Sequence, residues 1–247
     1  MKPDALEQRM RALEVYHSAR VLPEAWPILR VDGRGFSKFT QNRFEKPFDP
    51  IFHQAMVRAA GRLLEELGAI YVYTESDEIS VLLDRHTRLF DREHEKLVSI
   101  SAATASAALS LAFQCEVQCD SRLCVAANSA QVVDYFQWRQ ADAGRCCLNG
   151  WCYWTLRQQG ASVREATRQM HGRGFSWKNE LLFQRGINFN DLPCWQKRGT
   201  GLHWQVYEKV GLNPLTSAQT RATRRRLHIE DQLPLGEAYS DFLKQFL

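Results

Sequence analysis

No two of the chain's seven cysteines are spaced as CxxC, and none has a histidine at ligand spacing. That excludes a structural zinc site and leaves reduced, mostly buried thiols at 115, 119, 124, 146, 147, 152 and 194 as the expectation. No apolar run approaches the length that spans a bilayer, and the N-terminal MKPDALEQRMR has no signal-peptide core. A cytoplasmic protein without a membrane partner is therefore expected. Internal repeats and low-complexity linkers are also absent, and no Ser, Cys or His is arranged as an activated nucleophile. Neither sign of charge dominates, because 32 basic residues against 28 acidic ones leave only +4.

What is present is an ordinary globular composition, 45% hydrophobic and 24% charged over 247 residues, enough for a substantial core. Positive charge gathers late in the chain, at Lys197, Arg198, Lys209, Arg221, Arg224, Arg225 and Arg226. Such a cluster suits a polyanion such as RNA, and equally a solvated basic helix face.

PILRVDG reads as a buried strand ending on Asp32. FDPIFHQAMVRAAGRLLEELG reads as a helix, with Asp49 as N-cap, Pro50 at its first position and Gly68 closing it. Ile51, Ala55, Met56, Ala59, Leu63 and Leu67 recur at helical spacing and mark its buried face. AIYVYT and ISVLL flank ESDE as a hairpin, EKLVSISAATASAALSLAF is a helix, and RLCVAAN a further strand. The fold class is α+β, a split β-α-β-β-α-β sheet over residues 1–130 followed by a mostly helical extension over 131–247 with a basic C-terminal segment. In that extension QVVDYFQWRQAD, CLNGWCYWTLRQQG, SVREATRQM and FSWKNELLFQRG read as separate helices, and HWQVYEK as a strand.

A split βαβ order places the end of the first strand beside the turn between the second and third. Asp32 then meets the turn carrying Glu75, Ser76, Asp77 and Glu78. Like charges brought together cost energy unless a cation neutralises them. Carboxylates with a main-chain carbonyl form the hard oxygen site that Mg2+ uses with substrate phosphates. Gly33 and Gly35 let backbone amides approach a triphosphate. The plainer alternatives are an ordinary turn at DGRG and an ordinary hairpin tip at ESDE. For Glu75 and Glu78 the solvated turn is the expectation.

With RVDGRGFSKF (30–39), FEKPFD (44–49), ESDE (75–78), WRQAD (138–142), KNELLF (178–183) and LPCWQKRGT (192–200) in order, the chain resembles the tRNA(His) guanylyltransferase family. The resemblance implies a polymerase-palm-like sheet that adds nucleotides to the 5′ end of tRNA, in the 3′–5′ direction, after activation of that end by ATP or GTP. It implies two Mg2+ ions on the side chains of Asp32 and Asp77 and the carbonyl of Gly33. It implies a nucleotide site formed by Asp32, Gly33, Arg34, Gly35, Phe36, Ser37, Ser76 and Asp77, and phosphate or tRNA contacts from Lys46, Lys96, Lys178, Lys197 and Arg198. It implies a homotetramer as well. Members that guanylate tRNA(His) carry His-Ile-Asn-Asn-Leu-Tyr-Asn directly after the WRQAD segment, where this chain reads AGRCCLNG at 143–150. That departure points to the family's like-proteins and to template-directed repair of 5′-truncated tRNAs, with tRNA(His) guanylylation as runner-up. A nucleotidyl cyclase and a non-catalytic RNA-binding protein are more distant alternatives.

Six tryptophans, at 138, 151, 154, 177, 195 and 204, lie in the second half. Trp151 and Trp154, at helical spacing, read as core. Trp195, beside Pro193 and the Lys197–Arg198 pair, is the best candidate for stacking on a base. His53 and His171 have no evident partner in the sequence.

Overall fold

The computed structural model describes residues 3–17, 19–212 and 219–247. In chain order these form α1 (Pro3–Arg11), β1 (Trp26–Gly33), α2 (Phe36–Thr40), α3 (Pro50–Glu66), β2 (Tyr71–Glu75), β3 (Glu78–Leu82), α4 (His94–Phe113), β4 (Cys119–Ala126), α5 (Ser129–Gln158), α6 (Val163–Met170), α7 (Phe175–Phe183), α8 (Cys194–Arg198), β5 (Thr200–Leu212), β6 (Gln219–Glu230) and α9 (Glu237–Lys244).

The six strands form one sheet in the order β4-β1-β3-β2-β5-β6. β3 runs antiparallel to both β1 and β2, so those two are parallel with β3 between them, the expected split arrangement. Alternation along β1 divides the interior. Leu29 and Val31 face α3 and α4, in a core with Met56, Leu63 and Leu109. Ile28 faces α5 and α9, with Tyr71, Phe136 and Tyr239. A third core joins Leu148, Cys152 and Leu156 of α5 to α6 and α7.

α3 starts as the sequence indicates. The Asp49 carboxylate accepts from the amides of Ile51 (2.7 Å), Phe52 (3.0 Å) and Glu45 (2.8 Å). Asp49→Ala removes all three hydrogen bonds and is expected to cost about 1–2 kcal/mol, read as a lower thermal midpoint. Gly68 closes the helix at φ +59°, as expected. Ile51 departs from expectation: it is 67% exposed, and Phe52 packs inward at the first turn instead.

Further expectations change. α4 is long and apolar enough, by length and composition alone, to cross a membrane, contrary to the reading that no run approaches that length. Its Leu97, Ser101, Ala105 and Leu109 are nonetheless buried, one face of a helix lying on the sheet. The two helices expected at QVVDYFQWRQAD and CLNGWCYWTLRQQG are one 30-residue helix, α5. Neighbouring segments pack against its glycines at ordinary contact distance: a Cβ on Gly144 would lie 3.4 Å from the Lys197 carbonyl, and one on Gly150 3.6 Å from Pro47. The basic segment is no helix face. Arg221, Arg224, Arg225 and Arg226 lie on β6, paired along its length with β5. β5 pairs in turn with β2, so the sheet continues past the boundary expected near residue 130. The described cysteines are all free, as expected, but only Cys147 and Cys152 are buried and Cys146 is exposed.

Candidate active site

β1 ends where the chain must turn tightly. A Cβ on Gly33 would lie 2.5 Å from the Phe36 ring, so only glycine allows that ring to fold back under the loop. Gly35 follows in the left-handed region at φ +71° and leads into α2. The Gly33 amide donates to the Asp77 carbonyl (3.1 Å), and Asp32 sits opposite Glu78 in the β1–β3 register. The β2–β3 turn, with Ser76 also left-handed at φ +49°, is thereby fastened beside the end of β1.

The two aspartates feel each other. Burial first, and then the charge of Asp32, push the Asp77 carboxyl above its ordinary range, against the Ser76 hydroxyl hydrogen bond and the charge of Lys46. Asp32 and Asp77 thus form a like-charged pair at one end of the sheet.

Glu75 and Glu78 do not belong to a solvated turn, which corrects the expectation. Both side chains are largely buried against Arg139 of α5. Arg139 Nε donates to Glu78 Oε1 (2.7 Å), and Nη2 donates to Glu75 Oε1 (2.8 Å) and Glu78 Oε2 (2.9 Å). Asp142, itself paired with Arg145, takes a further bond from Arg139 (3.2 Å). Burial raises both glutamates above the usual carboxylate range while Arg139 opposes it. This network ties α5 to the turn that presents Asp77.

A cavity of about 310 Å³ opens beside Ser76 and Asp77. Phe36, Ser37, Lys46, His53, Trp154 and Trp195 are among its walls. Lys46 Nζ donates to Thr40 Oγ1 (2.7 Å) and stands 5.9 Å from the Trp154 ring centre. Burial lowers the Lys46 pKa, partly offset by Asp49 and Asp77. His53 stacks on Trp195, with centroids 4.0 Å apart and planes at 13°, while Phe48 meets Trp195 edge-on. Burial drops His53 to about 4, so a neutral imidazole lines the cavity at pH 7.

Of the residues singled out from sequence, Phe36, Ser37, Lys46, Ser76 and Asp77 line the cavity. Arg34 points to Gln118, donating to its Oε1 at 3.1 Å. Lys96 pairs with Glu93 (2.9 Å) at the start of α4. Lys178 lies on α7, where its carbonyl accepts from the Cys152 thiol. Lys197 donates to the Asn190 carbonyl and Arg198 to the Leu233 carbonyl (2.8 Å). None of these five residues lines the cavity. Three that do were not anticipated: His53, Trp154 (read as core) and Cys146. Trp195 does line it, with His53 stacked on its ring.

Two family models cover the chain. That described as tRNAHis guanylyltransferase matches residues 7–139, and its C-terminal domain matches residues 130–235. The chain belongs to the tRNA(His) guanylyltransferase family. Its relatives include the tRNA(His) guanylyltransferase of Debaryomyces hansenii, 36% identical over 222 residues, 83% of this chain and 84% of the relative. A probable human tRNA(His) guanylyltransferase is 32% identical over 203 residues, 76% of this chain and 68% of the relative. Among solved structures, a bacterial tRNA(His) guanylyltransferase-like protein in complex with ATP superposes with a TM-score of 0.80 at 25% identity, covering 98% of both chains. The corresponding GTP complex gives 0.74 over the same shares. Members of this family are tRNA nucleotidyltransferases, and the fold described above is that of its solved structures.

Proposed function

We propose that this chain is a magnesium-dependent 3′–5′ nucleotidyltransferase that repairs 5′-truncated tRNAs in a template-directed way. The observation that carries the proposal is the meeting of Asp32 and Asp77 beside a cavity lined by Lys46, Ser37 and two tryptophans. Among the described residues no three His, Cys, Asp or Glu side chains are arranged to hold a metal. Two carboxylates whose strands are joined by the Gly33 amide bond to the Asp77 carbonyl nevertheless fit a hard cation that takes its other oxygens from substrate. Such a cation would offset both the burial and the Asp32 charge that lift Asp77. Asp32, Asp77 and the Gly33 carbonyl would hold it. Bound there, Mg2+ would supply charge neutralisation at the phosphates.

The chain's own residues do the remaining work. Lys46 offers a cation to the phosphates, and Ser37 and Ser76 offer hydroxyls. Trp154 and Trp195 provide flat apolar surface for a purine. The attacking group is a substrate hydroxyl or phosphate, so positioning and charge neutralisation carry the chemistry. The exposed arginines of β6, with Arg225 over Trp204 (4.5 Å) and Arg226 over Tyr207 (5.5 Å), offer cations to an RNA backbone.

Repair is preferred to dedicated guanylylation because of α5. Where guanylating members carry a polar stretch, this chain lines the cavity with Ala143, Cys146, Cys147 and Gly150. The names of the curated relatives favour the second reading, tRNA(His) guanylylation. Truncated tRNAs with each of the four bases opposite the gap separate the two. Addition that follows the opposing base is expected. Guanosine alone, restricted to tRNA(His), would overturn repair and restore the second reading.

A further inference from the structure

We infer that Thr40 is a positioning residue for nucleotide addition: its hydroxyl holds the Lys46 ammonium at the cavity wall without neutralising it, which leaves that charge for a triphosphate. The inference rests on the proposed function, which gives Lys46 to the phosphates, and adds the residue that keeps it there.

Lys46 is half-buried, and burial lowers its pKa. It lies near enough to Asp49 and Asp77 to feel both charges. Yet among the described residues its Nζ makes one hydrogen bond, the 2.7 Å bond to Thr40 Oγ1, and no ion pair. Other lysines are held differently: Lys96 lies 2.9 Å from a Glu93 carboxylate oxygen, and Lys244 2.8 Å from one of Asp241. A carboxylate partner cancels the charge of an ammonium. A hydroxyl takes one of its three N–H groups, fixes its direction and leaves the net charge in place. The other two N–H groups stay available to phosphate oxygens. Keeping such a cation half-buried is costly, and an anion entering the cavity would offset the cost.

Both ends of Lys46 are held. Thr40 is buried, ends α2 one turn after Ser37, and lines the cavity with it. Its carbonyl accepts from the amides of Arg43 and Phe44, both at 3.4 Å, which ties it to the turn that leads to Lys46. From the other side α5 braces the main chain. Gln158 Nε2 donates to the Lys46 carbonyl (3.4 Å), and Pro47 packs at Gly150. A lysine stem is long and rich in rotamers, so an untethered ammonium would have to be ordered anew by each ligand. The Thr40 bond orders it in advance, against the same short helix that presents the Ser37 hydroxyl.

The test is a double-mutant cycle, read as the dissociation constant of the full chain for ATP in Mg2+. Lys46→Met and Thr40→Val are each expected to weaken ATP binding roughly tenfold. The double variant should bind no more weakly than Lys46→Met alone, and Thr40→Ser, which restores the hydroxyl without the methyl, should bind as wild type does. If Thr40→Val keeps wild-type affinity while Lys46→Met loses it, the role of Thr40 is overturned alone. If the two losses multiply in the double variant, or Thr40→Ser is as weak as Thr40→Val, Thr40 acts through packing and the inference is overturned. If Lys46→Met binds ATP as wild type does, the place given to Lys46 in the proposed function falls, and that of Thr40 with it.

Discussion

Asp77→Asn is expected to abolish nucleotide addition and at the same time to make the metal-free protein more stable. Loss of one of two charged ligands removes several kcal/mol of transition-state stabilisation, so addition should fall by roughly three orders of magnitude or more. The stability gain follows from the direction of the Asp77 shift. Its folded pKa is raised by burial and by Asp32, so above the unfolded value the ionised carboxylate costs the fold free energy. Asparagine keeps the shape and removes that charge. Thermal unfolding in EDTA should therefore show an equal or higher midpoint for the variant near pH 7. The difference should shrink as pH falls toward the unfolded pKa, where wild-type Asp77 is also protonated. A variant that is both inactive and unstable would mean that Asp77 is a structural residue.

The second large effect is expected at Arg139. Arg139→Leu strands Glu75 and Glu78, two buried carboxylates whose principal cation is gone. Removing one partner of a buried ion pair costs about 3–5 kcal/mol, a large part of the stability of a domain this size. The loss is fully present only above the folded glutamate values, which burial already raises (Glu75 to about 8) and which rise further without the guanidinium. Acidification through that range should narrow the gap between variant and wild type. Adding Glu75→Gln and Glu78→Gln should recover most of the loss above that range. A variant whose deficit did not change with pH would show that α5 and the turn are held by packing.

These two residues also show how far the sequence could be read. β1, α3 and the hairpin were legible because their signals are local: an apolar run ended by Asp32, an Asp-Pro start, a polar turn between two β-rich runs. The meeting of Asp32 with Asp77 needed only the order of strands. Glu75 and Glu78 were misread as solvated because their partner, Arg139, lies 64 and 61 residues away. Arg139 stood inside a recognised motif, yet nothing local said that its guanidinium turns inward. His53 escaped for the same reason, since Trp195, on which it stacks, belongs to α8. The α5 helix was divided because Ala143–Gly144–Arg145 interrupts its apolar rhythm. Charge clustering in the C-terminal third was visible, but charge has no periodicity of its own, so it could not distinguish a strand from a helix.

The most direct measurement is an anomalous difference map from crystals of the full chain grown with Mn2+ and a non-hydrolysable ATP analogue. The account expects manganese peaks within coordination distance of both the Asp32 and Asp77 carboxylates, with the triphosphate reaching them from the Lys46 side of the cavity. Peaks elsewhere, or an analogue bound in the cavity with no metal touching either aspartate, would contradict it.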